Sequence, residues 1–189
     1  MTVLQGEQSM ISAMSYFEEK MPGHNPVNYY TFALYAPCCM ATFLTEIYGG
    51  KYSYNSRISY GILICALCSA VTPFLADTGN PTLSFWLVYA ALVTFGIASG
   101  ISQCSFYGLA GTMPSTYIGI TIMGVSVSGF ANNAFRGLSF ALNFRTLKQN
   151  TIFFYAISTV YLLICSGAFK LVLLKNEYFL YYYYNGTHV

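Results

Sequence analysis

Residues 81–110 read PTLSFWLVYAALVTFGIASGISQCSFYGLA. The run contains no Asp, Glu, Lys or Arg. A helix needs about 20 mostly apolar residues to cross the hydrocarbon core of a bilayer. This run exceeds that length, and a lone strand could not satisfy its backbone in lipid. It therefore predicts a transmembrane α-helix. Four further apolar runs flank it, separated by short polar or Gly/Pro-containing stretches. The expected spans are 28–50, 57–76, 82–110, 116–143 and 151–174. Gly49 and Gly50 close the first, and Asp77, Gly79 and Pro81 separate the second from the third. Pro37 and Pro73 lie inside spans, where each removes a backbone hydrogen bond and can kink its helix.

Composition agrees with this reading. Of 189 residues, 56% are hydrophobic and only 7% charged, against roughly 25% charged in a soluble domain. A soluble fold would have little with which to cover its surface. The net charge of +2, with no basic tract, gives no basis for nucleic-acid binding. The expectation is an all-α polytopic membrane protein, a helical bundle.

The six cysteines, Cys38, Cys39, Cys65, Cys68, Cys104 and Cys165, all fall in apolar runs. Cys65 and Cys68 form a C-x-x-C, but a redox or zinc site needs polar, accessible surroundings. They read as small residues at helix contacts. Residues 1–9 are polar and lack the basic and apolar regions of a signal peptide. Alternation of the spans puts Lys51, Arg57, Lys170 and Lys175 on one side, and Lys20, Arg145 and Lys148 on the other. The positive-inside tendency favours Lys51 and Lys175 in the cytosol. That orientation leaves residues 1–27 outside and makes the Asn185-Gly186-Thr187 sequon a chance match. The tyrosine-rich tail, 176–189, suits a membrane interface.

Two helices carry polar stripes. In the third, Gly96, Gly100, Cys104 and Gly108 recur every four residues, a small-residue ladder that admits a close neighbour. Ser99 and Gln103, also four apart, share a face beside it. The Gln103 amide offers two donors and an acceptor, which suits either a polar heterocycle or sugar, or an interhelical hydrogen bond. In the fourth, Gly124, Ser128, Asn132 and Arg136 form a second ladder, with Gly129, Asn133 and Gly137 alongside. Polar groups in a span are costly unless they face partners or water. The stripe therefore lines a cavity, or Arg136 snorkels to the interface.

No hydrolytic, redox or metal constellation is visible, so no catalytic residue, cofactor or metal is expected. His24 and His188 lie in loop and tail. The only acidic candidate within a span is Glu46, near the end of the first run, where it reads as interfacial.

The stretch 101–129, ISQCSFYGLAGTMPSTYIGITIMGVSVSG, resembles the fourth and fifth helices of equilibrative nucleoside transporters. The shared features are Gln103, Ser105, Phe106, Tyr107, Gly108, Leu109, Ala110, Gly111, Pro114, Tyr117, Gly124 and Gly129. Arg136, seven residues after Gly129, matches an Arg of many family members. Ile11, Ser12, Ala13, Met14, Ser15, Tyr16 and Phe17 look like the end of the family's first helix. The resemblance covers residues 10–175. The family's Leu-Pro-Trp-Asn is missing, and Leu4-Gln5-Gly6-Glu7-Gln8 stands near its place. Val125 replaces a Gln found in many members.

The resemblance implies a major-facilitator-like N-terminal half, with 1–27 a truncated first-helix remnant and 28–175 a five-helix bundle. It implies facilitated transport of nucleosides or nucleobases by alternating access, at the plasma membrane. Gln103, Ser128, Asn132 and Arg136 would line the substrate path. Gly96, Gly100, Gly108, Gly124 and Gly129 would serve helix packing. The implied partners are a nucleoside, the lipid bilayer, and a missing C-terminal half or full-length homologue. The family's second half, with its Arg and Asp motif, is not in this sequence. A non-transporting fragment or regulatory half-transporter is the alternative, and a tetraspan-like structural protein is a third reading.

Overall fold

The computed structural model describes residues 7, 14–21, 25–141, 147–173, 175 and 180. The Asn185 sequon, most of the tyrosine-rich tail, Arg145, His24, and Ile11, Ser12 and Ala13 lie outside the described residues. Everything described that is regular is helical, so the chain is an all-α polytopic membrane protein.

The helices are α1 Met14–Lys20, α2 Pro26–Tyr48, α3 Tyr54–Leu75, α4 Pro81–Gly111, α5 Ser115–Ala141 and α6 Leu147–Ala168. Short connections make successive helices antiparallel. A 3-10 turn, Gly49–Lys51, follows α2, and a π-helical turn, Phe169–Leu173, extends α6. Local chemistry sets the starts. Pro26 and Pro81 open α2 and α4 at a position where the missing N–H costs nothing. Ser53 caps α3 by accepting from the Ser56 N–H at 3.4 Å. Gly79, at φ 82°, makes the α3–α4 turn in a conformation few other residues adopt.

Several hydroxyls inside the helices bond the carbonyl one turn back. Examples are Thr45 to Ala41, Thr72 to Cys68 and Ser105 to Ile101, each at 2.6 Å. These side chains therefore enter apolar surroundings already satisfied.

Four helical segments are long and apolar enough to cross a membrane: Tyr54–Leu75, Pro81–Gly111, Ile118–Ser139 and Lys148–Leu171. The expected first span, 28–50, is not among them. Helix α2 has 23 residues, enough length, but Asn28, Glu46, two prolines and four tyrosines dilute its hydropathy.

Helix α4 is the centre of the bundle. It packs between α2 and α3, and α3 packs in turn on α6. The core joins Tyr30 and Leu34 of α2, Ile58 and Ile62 of α3, Val88, Leu92 and Phe95 of α4, and Tyr155 and Leu162 of α6. The outer faces are also apolar. Phe32, Phe43, Leu67, Phe74, Ile122, Phe130 and Ile164 are all exposed, as suits a surface solvated by lipid tails.

Glycines bring the backbones of α2 and α4 together. A Cβ on Gly96 would overlap the Leu34 carbonyl oxygen, and one on Gly100 the Cys38 carbonyl oxygen. A Cβ on Gly108 would press on the Tyr54 ring of α3 at 3.0 Å. At one end of the bundle, Lys20 Nζ lies 2.8 Å from Asp77 Oδ1, and Lys148 pairs with Asp77 Oδ2. This cluster ties α1, the α3–α4 turn and α6. The two lysine hydrogen bonds, Lys148's first, pull the Asp77 carboxyl from its ordinary 3.8 down to about 2.

Candidate functional site

Two groups of polar side chains sit within the apolar bundle. The first surrounds Gln103. Residues 99 and 103 are one helical turn apart on α4, so their side chains meet, and Gln103 Nε2 donates to Ser99 Oγ at 3.0 Å. Glu7 completes the group. It precedes α1 in the chain, is 3% exposed, and lies against α2 and α4. Its Oε1 accepts from Gln103 Nε2 at 2.6 Å, from Ser99 Oγ, and from Cys38 Sγ at 3.7 Å. Cys38 Sγ also reaches Ser99 Oγ at 3.9 Å. A carboxyl, an amide, a hydroxyl and a thiol from three segments therefore meet in one place.

Glu7 adds to the sequence reading, in which Glu46 was the only acidic candidate within the spans. Glu46 is exposed and accepts from Cys104 Sγ at 3.2 Å, near the end of α2. Glu7 was missed because hydropathy scores residues 1–9 as a polar segment outside the membrane runs. A single carboxyl buried against a bundle has no hydropathy signature. The resemblance held the only clue, since Glu7 stands near the place of the family's Leu-Pro-Trp-Asn.

The second group lies on α5. Ser128 and Asn132 are buried, and Ser128 Oγ donates to the Val125 carbonyl at 2.6 Å. Arg136 continues the same stripe, half-buried, with its Cζ 5.4 Å from the centre of the Phe154 ring on α6. That is the geometry of a cation–π contact. Phe135 meets Tyr161 of α6 edge-on, with centroids 6.2 Å apart. The stripe thus turns toward α6. Ser139 Oγ donates to the Arg136 carbonyl at 2.8 Å. Gly124 and Gly129 are half-buried on α5.

The expected path residues therefore fall into two sets. Gln103 joins Ser99, Cys38 and Glu7 at the α2–α4 contact, whereas Ser128, Asn132 and Arg136 share the α5 stripe. The other faces of α5 carry Ser126, Phe130, Asn133 and Gly137, all exposed. Only 11% of its span is buried inside the bundle, against 50% for α4. Among the described residues no group of His, Cys, Asp and Glu is arranged to hold a metal ion.

Comparison with known proteins agrees with the helical reading. The family described as Nucleoside transporter matches residues 89–187, which include Gln103 and the whole α5 stripe. Equilibrative nucleotide transporter 8 of Arabidopsis thaliana is 23% identical over 126 residues. That alignment covers 64% of this chain and 32% of the relative. The chain thus spans about a third of the length of the curated relative it matches. The match extends over more than half of the chain, and the chain belongs to the nucleoside transporter family.

Proposed function

We propose that this chain forms the N-terminal bundle of a carrier that moves nucleosides or nucleobases across the plasma membrane. Transport would proceed by facilitated diffusion with alternating access. The family is one of transporters rather than enzymes, and the proposed role needs no bond-breaking residue. The observation that carries the reading is the Gln103 amide, held half-buried by Ser99 and Glu7 within an uncharged apolar helix. A polar group in such a place is retained for a partner, a pathway or both. An amide presents donors and an acceptor complementary to a base edge or sugar hydroxyl. Ser128, Asn132 and Arg136 would form a further part of the path, and the glycines at the α2–α4 contact would let helices pack closely. Helix α2, parallel to α4 and in close backbone contact with it, would cross the bilayer as a fifth span.

The exposed faces of α5 favour a second element in the proposal. Asn133 in a lipid-facing position would be costly, so a further helical bundle would cover this helix. Substrate would then lie between the two bundles near the midplane. That bundle would come from a longer form of the chain or from a homologue. In the second case the chain would act as a regulatory half-transporter.

Uptake of radiolabelled adenosine and uridine in transporter-null cells tests the reading, with Gln103→Leu as the control. Saturable uptake lost in that variant supports it. Uptake indistinguishable from empty cells, for both the chain and any longer form, removes it.

A further inference from the structure

In the transport reading the Glu7 carboxyl serves only to hold Gln103. It is buried where charge is expensive, yet it sits within a cage of donors. From α4 it receives the amide of Gln103 and the hydroxyl of Ser99, both neutral groups. From α2 it receives the Cys38 thiol, with Tyr35 within electrostatic reach. From α3, Cys65 is within the same reach. No ion pair to Glu7 occurs among the described residues; the lysine pairs belong to Asp77 at the end of the bundle. Among the described residues the titratable neighbours are thus thiols and a phenol, and none of these supplies a positive charge.

Two terms oppose each other at such a group. Loss of water penalises the carboxylate, and hydrogen bonds from donors stabilise it. Proton relays are one use of intramembrane carboxyls. Protonation also changes the hydrogen-bond logic. A carboxylate accepts only, while the protonated acid donates at one oxygen and accepts more weakly. The contact most affected is Gln103 Nε2 to Glu7 Oε1, at 2.6 Å. A neutral Glu7 holds that amide less firmly and leaves it available to another acceptor.

We propose that Glu7 is a proton-binding site in the membrane, and that its protonation releases the Gln103 amide to substrate. The proton comes from water, forms an O–H bond on Glu7, and returns to water when the carboxylate re-forms its contacts. No other bond changes. The proton-binding half of the proposal stands alone. The substrate half rests on the transport reading above.

The test has two arms on the full chain reconstituted in lipid vesicles. Infrared difference spectroscopy across a pH titration reads the carbonyl stretch of protonated carboxyls. The expected result is a band that titrates in the wild type and is absent from Glu7→Gln, while Glu7→Asp retains a titrating band at a shifted frequency. In the second arm, nucleoside uptake is followed against pH. Wild-type uptake rises on acidification by up to about tenfold per pH unit, the limit for one proton. Glu7→Gln uptake is flat. A wild-type spectrum with no titrating band beyond those of the exposed carboxyls overturns proton binding, whether or not the variants fold. Uptake with the same pH profile in wild type and Glu7→Gln overturns the release of Gln103. Absence of uptake from the chain and from any longer form overturns the transport reading and the substrate half with it, and leaves proton binding to be decided by the infrared arm.

Discussion

Gln103 Nε2 lies 2.6 Å from Glu7 Oε1, joining the middle of α4 to a segment 96 residues earlier in the chain. A hydrogen bond to a charged group contributes about 1.5–3 kcal/mol, and more is lost when its removal strands a buried charge. We therefore expect Gln103→Leu to destabilise the protein by about that amount with Glu7 present, and by much less in a Glu7→Leu background. Denaturation of the reconstituted single and double variants measures the coupling. Equal costs in both backgrounds would show that the contact contributes nothing.

Close backbone approach makes the α2–α4 contact sensitive to any side chain. Gly96→Val places a Cβ against the Leu34 carbonyl, which cannot swing aside as a side chain would. The expected cost is about 1–3 kcal/mol, as for overpacked cores, seen as a lower melting temperature in detergent. Gly119→Ala on α5 is the contrast, since a Cβ there meets nothing within 4 Å. It should leave stability unchanged or raise it by up to about 1 kcal/mol through the better helix propensity of Ala. A destabilised Gly119→Ala with an intact Gly96→Val would reverse the packing account.

The Asp77 cluster predicts a pH window. The carboxyl is depressed in the folded protein, from 3.8 to about 2. Its stabilisation is therefore complete above the ordinary carboxylate range and lost as pH falls from about 4 toward 2. Asp77→Asn should abolish that part of the acid sensitivity. The pairs are partly exposed, so the neutral-pH effect should be small and should shrink with salt. Melting temperature against pH at two salt concentrations checks both statements. An unaltered acid limb in Asp77→Asn would remove the cluster from the account.

Arg136 lies over the Phe154 ring at the α5–α6 contact. If the α5 stripe is part of the substrate path, Arg136→Leu should reduce uptake by about tenfold or more, the effect of about 1.4 kcal/mol. Arg136→Lys should restore part of it, since the charge is kept and the planar stacking is lost. Full uptake in Arg136→Leu would assign the residue to the interface.

The helical membrane architecture was legible because its signal is local. Residues 81–110 announce a span by containing no charge, and Gly96 and Gly100, four residues apart, mark the tight approach to α2. Ser99 and Gln103 could be placed on one face for the same reason. Helix α2 reads as the span 28–50 and is a helix over Pro26–Tyr48, although Tyr30 and Tyr35 lower the hydropathy of a segment that buries one face on α4. Glu7 was not legible. Its partners are 31, 92 and 96 residues away, and nothing in a polar N-terminal stretch distinguishes a solvated carboxyl from one enclosed by distant helices. The resemblance placed the segment near a motif position, but only the packing shows that its carboxyl meets Gln103.

The central claim is that the polar face around Gln103 serves a nucleoside path. The most direct measurement is saturable uptake of radiolabelled adenosine and uridine in transporter-null cells expressing the chain, alone and within any longer form, with and without Gln103→Leu. The account predicts saturable uptake in at least one form and its loss in the variant. Uptake at the level of empty cells in every form, or uptake unaffected by Gln103→Leu, would contradict it.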